Sequence, residues 1–125
     1  MLSIGVDMVD TEELRRQLGP EENGAFFRRT FTRAEQEAAR RAKDMAEYLA
    51  TRFAVKEAVF KALGKHTRDK VFDFRRVETL NAPDGSPYVV VDDFLRALMA
   101  EGGFTDLAVS ITTEGPYAVA FVVAT

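Results

Sequence analysis

The run Arg52-Phe53-Ala54-Val55-Lys56-Glu57-Ala58-Val59-Phe60-Lys61-Ala62-Leu63 constrains this chain more than any other. Its long apolar and alanine positions favour a buried α-helix, yet it carries one carboxylate and two lysines. Glu57 lies one turn from both Phe53 and Lys61, so its side chain projects beside a partly apolar face. A carboxylate there needs a partner. As an isolated i,i+4 surface pair, Glu57 and Lys61 would contribute about 0.3–0.5 kcal/mol. A larger role requires a second charged group from elsewhere in the chain.

At 125 residues, 46% of them hydrophobic, the chain fits one domain spanning 1–125 and can bury a core without cross-links. The absence of cysteine excludes a disulfide framework, a thiolate metal site and a cysteine nucleophile. His66 is the only histidine, which excludes the usual histidine-rich zinc sites. A divalent metal would be held by oxygen ligands, which points to magnesium or a similarly hard ion. No apolar run is long enough to span a bilayer and no signal segment opens the chain, so the expectation is a soluble cytoplasmic protein without membrane contact. A net charge of −3 argues against nucleic acid as a partner. Arg15, Arg16, Arg28, Arg29, Arg33, Arg40, Arg41 and Lys43 nevertheless concentrate in the first third, where they either form a solvated face or meet an acidic protein.

Ser3 to Val9 alternates, with Ile4, Val6 and Met8 on one face and Ser3, Gly5 and Asp7 on the other, which predicts a strand with a polar face. Asp10 or Thr11 can cap a short helix containing Leu14 and Leu18 and ended by Gly19-Pro20; a second short helix is expected near Glu21 to Arg29. Thr32 and Glu35 form a capping box for a helix from Arg33 to about Lys43. A longer helix, about Met45 to Leu63, is expected to end at Gly64 in a left-handed cap. Val77 to Leu80 and Tyr88 to Val91 flank a turn rich in Pro, Asp and Gly and predict a hairpin. Asp92 or Asp93 can cap a helix through Ala100, closed by Gly102-Gly103, and Leu107–Thr112 with Tyr117–Val123 predict a second hairpin. Helices and strands segregate, so the expected class is α+β: a small antiparallel sheet packed with helices.

Asp7 is an acid in an apolar-rich strand, and it shares its face with Gly5, where another group can approach the backbone closely. It either caps the following helix or acts with Glu57. Two carboxylates from a strand and a helix, completed by water and substrate oxygens, suit magnesium, and Lys61 is placed to reach a phosphate.

Ile4-Gly5-Val6-Asp7, followed by Arg52-Phe53-Ala54-Val55-Lys56-Glu57-Ala58 and Lys61-Ala62-Leu63-Gly64, resembles in order and separation the two signatures of the holo-(acyl-carrier-protein) synthases, the small 4′-phosphopantetheinyl transferases. Asp84-Gly85-Ser86-Pro87-Tyr88 is similar to the family's Gly-x-Pro turn. Val109-Ser110-Ile111-Thr112 with Tyr117-Ala118-Val119-Ala120 is similar to its C-terminal strands. The resemblance therefore covers essentially the whole chain.

It implies transfer of 4′-phosphopantetheine from coenzyme A to a serine of an acyl carrier protein, leaving 3′,5′-ADP. By the same likeness Asp7 and Glu57 bind Mg2+ and Lys61 contacts the phosphate under attack, while Glu57 or a metal-bound water takes the serine proton. Arg52 and Lys56 are candidates for coenzyme A phosphates, with a solvated helical face as the alternative; Gly64, Gly85 and Pro87 are further candidates for coenzyme A. Arg15 or Arg16 is expected to engage the carrier, although both lie further from Asp7 than the family's arginine does. A homotrimer with coenzyme A between subunits is also implied. The chain departs from the family at Gly64-Lys65-His66, where many relatives have Gly-Thr-Gly, at Ser86 in place of a frequent lysine, and at Thr113, which is histidine in some members. A non-catalytic coenzyme-A- or carrier-binding module with the same fold is the alternative function.

Overall fold

The computed structural model describes residues 1–20, 24–68 and 73–125. Strand β1 (Ser3–Asp10) alternates as its sequence predicts, but its polar face is the inward one. Ser3 and Gly5 are buried, whereas Ile4, Val6 and Met8 are 46%, 48% and 63% exposed. The reason is the element packed on the inner face, the 19-residue helix α4 (Met45–Leu63). Ser3 Oγ donates to Ala62 O at 2.7 Å. A Cβ on Gly5 would lie 1.9 Å from Ala58 O and 2.9 Å from Ala62 N, so only glycine permits this approach of helix to strand.

Between these two elements run α1 (Thr11–Leu18), α2 (Ala25–Thr30) and α3 (Arg33–Arg41). Asp10, not Asp7, caps α1: its Oδ1 accepts from the Glu12 and Glu13 backbone N–H groups. The Thr32–Glu35 capping box forms as expected. The helix expected from Glu21 is described from Ala25 onward; Glu21 to Asn23 lie outside the described residues. Gly64 corrects the sequence reading. Its φ of −58° is right-handed, and the chain runs on into a 3-10 turn, Gly64–His66, in place of a left-handed stop.

Strands β2 (Glu78–Asn81) and β3 (Pro87–Val90) form an antiparallel hairpin. Gly85 supplies the turn's φ of 90°, and Asp84 Oδ1 accepts from both the Ser86 N–H and its hydroxyl. Helix α5 (Asp93–Glu101) is capped by Asp92. Strands β4 (Leu107–Glu114) and β5 (Tyr117–Ala124) complete a three-stranded antiparallel sheet in the order β1-β5-β4, with Asp7 opposite Ala120.

Residues of α4, α5, β3 and β5, together with Val77 just before β2 and Phe104 after α5, share one apolar cluster, with Leu107, Val109 and Ile111 of β4 packed against it. A second joins α1, α2, α3 and the first half of α4 around Leu14, Phe27, Phe31 and Leu49. Helix α4 belongs to both, which is why it is buried on most sides and shows little amphipathicity. In its last three turns Phe53, Glu57 and Phe60 are only half-buried and Lys61 is exposed, a single stripe at i, i+4, i+7 and i+8 whose first member, Phe53, also packs against the second cluster.

Gly5→Ala should lower stability by at least about 2 kcal/mol, because the new methyl meets backbone that can yield only by moving the whole helix. Urea unfolding checks this; a midpoint equal to the wild type's would mean that α4 is not held against β1 at this distance.

Candidate active site

The exposed stripe of α4 and the polar face of β1 meet in an open cleft of about 380 Å³. Asp7, Glu57 and Lys61 line it together with Met8, Val9, Asp10, Glu13, Leu14, Gln17 and Phe53. Lys61 does not pair with Glu57 as an isolated helix would suggest. Its Nζ donates at 3.0 Å to Asp7 Oδ1 and at 3.0 Å to Val6 O, reaching across to the strand. Two of the ammonium's three N–H groups are thereby engaged and one is left for another acceptor. Partial burial pushes the Glu57 carboxyl above its usual range, the nearby Asp7 charge adds to this, and Lys61 opposes it.

Among the described residues no three His, Cys, Asp or Glu side chains gather into a metal cage. Asp7 and Glu57 are a two-carboxylate donor set of hard oxygens on an open cleft. That set fits an ion which takes one or two protein carboxylates and fills its remaining positions with water and substrate phosphate, as Mg2+ does. It lacks the histidine and cysteine ligands of the usual zinc sites.

Lys56 is corrected outright. It is fully buried, and its Nζ reaches Glu35 Oε1 at 2.8 Å, Phe74 O at 2.8 Å and Val77 O at 2.5 Å. All three donors are used, so Lys56 has none for a coenzyme A phosphate, and it does not stand on a solvated face. Burial pushes its ammonium below the usual lysine range and the Glu35 carboxylate opposes this. Glu35, also fully buried, accepts at the same time from Thr32 N and Thr79 N, joining α3, α4 and β2.

Arg52 is also largely buried, at 3% exposure, so it too lies off any solvated face. Its guanidinium stacks 4.2 Å from the Tyr48 ring centroid, and Nη2 donates to Asn81 Oδ1 at 2.6 Å. Its Nε is buried without a hydrogen-bond partner among the described residues. Arg52, Asn81, Lys43 and Thr51 line a second open groove, of about 700 Å³. Asn81 pairs across the hairpin with Pro87, which brings the Gly85–Pro87 turn to the neighbourhood of this groove and not to the Asp7 cleft. Gly64 is buried beside the Phe60 ring, and an added Cβ there would make only ordinary contact.

Arg15 is clamped by Asp44, with Nη1 and Nη2 at 3.2 and 3.0 Å from its two oxygens, and also bonds Glu12. The Arg15 hydrogen bond and the Glu47 N–H hold the Asp44 carboxyl below its usual range. Arg16 is exposed and forms no ion pair among the described residues. Sequence reasoning missed Asp10, Glu13, Gln17 and Asn81. The first three were accessible, because Glu13, Leu14 and Gln17 share one face of α1 and Asp10, its cap, precedes Glu13 by three residues at the same cleft. Asn81 carried no comparable signal.

A cleft that gathers Asp7, Glu57 and Lys61, with Asp10 and Glu13 also on its lining, offers the hard oxygens and the cation that chemistry at a phosphate uses. A family model described as the 4′-phosphopantetheinyl transferase superfamily matches residues 3–122, and the chain belongs to that superfamily. It is 38% identical to the holo-[acyl-carrier-protein] synthase of Desulforudis audaxviator over 99% of this chain and 92% of that one. The crystal structure of the Neisseria meningitidis holo-[acyl-carrier-protein] synthase superposes with a TM-score of 0.85 at 32% identity, covering 98% of this chain and 97% of that chain. A Chronobacterium ammoniagenes ACPS–CoA complex superposes with a TM-score of 0.82 at 27% identity, covering 99% and 96%.

Lys56→Met should cost about 3–5 kcal/mol, because it leaves Glu35 charged and buried without its counter-ion. Urea unfolding checks this, and a variant of unchanged stability with weakened coenzyme A binding would return Lys56 to the ligand.

Proposed function

We propose that this protein transfers the 4′-phosphopantetheine arm of coenzyme A to a serine hydroxyl of an apo acyl carrier protein, as a single catalytic domain over residues 1–125. The observation that carries the reading is the convergence of Asp7, Glu57 and Lys61 in one cleft. The relatives named holo-[acyl-carrier-protein] synthase and the coenzyme A complex of a similar structure supply the substrates. A module that only bound coenzyme A or the carrier would have little use for Asp7, Glu57 and Lys61 gathered in one cleft.

The serine oxygen attacks the phosphorus on the pantetheine side of the pyrophosphate. The bond from that phosphorus to the bridging oxygen breaks, and 3′,5′-ADP leaves with the electron pair. Asp7 and Glu57 would hold Mg2+, which when bound neutralises charge on the pyrophosphate oxygens. Lys61, tethered by Val6 O and Asp7, directs its remaining N–H at the reacting phosphate. Glu57, on the lining of the same cleft, is this chain's candidate to accept the serine proton. Arg52, whose Nε has no hydrogen-bond partner among the described residues, and the Gly85–Pro87 turn receive the nucleotide end of coenzyme A, with Gly64 shaping the chain beyond Lys61. Arg16 is better placed than the Asp44-bound Arg15 to meet the carrier.

The outer sheet face supports a homotrimer. Ile4, Val6 and Met8 of β1 lie alongside Tyr117 and Phe121 of β5, which are 43% and 44% exposed, in an apolar surface that a monomer gains nothing by showing to water. A cysteine-free chain, with no described helix long and apolar enough to cross a membrane, suits a cytoplasmic enzyme.

Incubated with coenzyme A, Mg2+ and apo carrier, the protein should add the phosphopantetheine arm, as read by the carrier's mass; no gain on any carrier tried would sink the transfer reading. Glu57→Gln should reduce turnover by about 100-fold or more while the circular dichroism stays native. Val6→Glu should reduce the mass measured by light scattering to that of a single chain, and an unchanged mass would move the interface elsewhere.

A further inference from the structure

A third groove, of about 590 Å³, shares no lining residue with the Asp7 cleft or the Arg52 groove. Arg28 of α2, Arg33 of α3, and Arg75 and Arg76 of the 3-10 turn Phe74–Arg76 converge on it, with Asp73, Phe31, Thr32 and Gln36. Among the described residues, four guanidiniums against one carboxylate give it a strong positive excess on a chain whose net charge is −3.

The neutral groups are already committed. The Gln36 amide donates to Phe31 O at 2.8 Å, and the Thr32 hydroxyl donates to Glu78. Arg76 is braced by stacking 4.2 Å from the Phe94 ring centroid. Arg75 has only a long 3.7 Å contact to Asp73, its side chain remaining 55% exposed, and Arg33 forms no ion pair among the described residues. The groove therefore offers anion-seeking donors and little else.

We propose that this groove docks a carboxylate-bearing segment of the protein substrate, separately from the cleft where its serine reacts; the inference rests on the carrier-modifying activity proposed above. Exposed guanidiniums gain little from one small anion, because solvent screens each contact. A partner with several carboxylates along one segment adds those contacts together and is steered toward the groove before it docks. A nucleic acid fits less well. Among the described lining residues the one aromatic ring, Phe31, is fully buried and gives a base no face to stack on.

The full chain is titrated with fluorescent polyglutamate by anisotropy and separately assayed with apo carrier and coenzyme A. Arg33→Glu combined with Arg75→Glu, and the milder Arg33→Gln with Arg75→Gln, alter only exposed side chains. The glutamate pair should weaken polyglutamate binding and raise the KM for carrier, each by about tenfold or more, leaving kcat and the KM for coenzyme A unchanged. The glutamine pair should fall between, and Arg75→Lys should retain wild-type binding. Polyglutamate affinity and carrier KM equal to wild type in both pairs would overturn the groove while leaving the transfer activity standing. Arginine-dependent polyglutamate binding by a protein that modifies no carrier would instead overturn the transfer reading and leave the groove. Oligothymidylate bound as tightly as polyglutamate, through the same arginines, would overturn the assignment to a protein segment.

Discussion

The approach of α4 to β1 at Gly5 is the contact on which the rest of the molecule depends. With the Gly5 α-carbon against the Ala58 carbonyl, Ser3 reaches Ala62 O and Asp7 meets Lys61, so three successive inward positions of the strand each engage the helix. The cleft is thus a by-product of packing. Glu57 and Lys61 flank Ala58 on the helix, Asp7 lies two residues beyond Gly5 on the strand, and fixing the backbones fixes the carboxylates. Loop-borne groups would need further support to hold the same geometry.

A second constraint sets how α4 is turned about its own axis. The buried Lys56–Glu35 pair draws one side of the helix toward α3 and β2, and the adjacent Glu57 is thereby left at the opening. Burial of such a pair need not stabilise the fold in total, since desolvation offsets much of the attraction. It does penalise other rotations of α4, each of which would strand a charge in the core.

The elements that carry the cleft were legible because their signals are local: a strand alternating with period two and a helix returning after four residues put Asp7 on a strand face and Glu57 and Lys61 one turn apart, while their joining in one site was what the family resemblance implied. The helix boundaries, most caps and both hairpins followed from the same short-range rules. Lys56 was misread because its partner Glu35 is remote in sequence and had already been accounted for as a cap. Its neighbour Arg52 was obscure for the same reason, its partner Asn81 lying in a hairpin beyond the helix. The inversion of β1 was half visible. Alternation divides a strand into two faces, but which face turns inward depends on what packs there, and only the close approach at Gly5 selected the polar one.

That inversion leaves β1 with no tolerance for a shift in pairing. A slip of one residue against β5 would exchange the faces, presenting Met8 or Val6 to α4 where Asp7 now stands and, correspondingly, Val6 or Ile4 where glycine is required. Many half-buried strands can survive a slipped register as a misfolded minority, but here the slipped chain could neither seat the helix nor assemble the cleft. The strand acts as its own proofreading device: a molecule whose helix α4 has docked is one whose carboxylates are already in register.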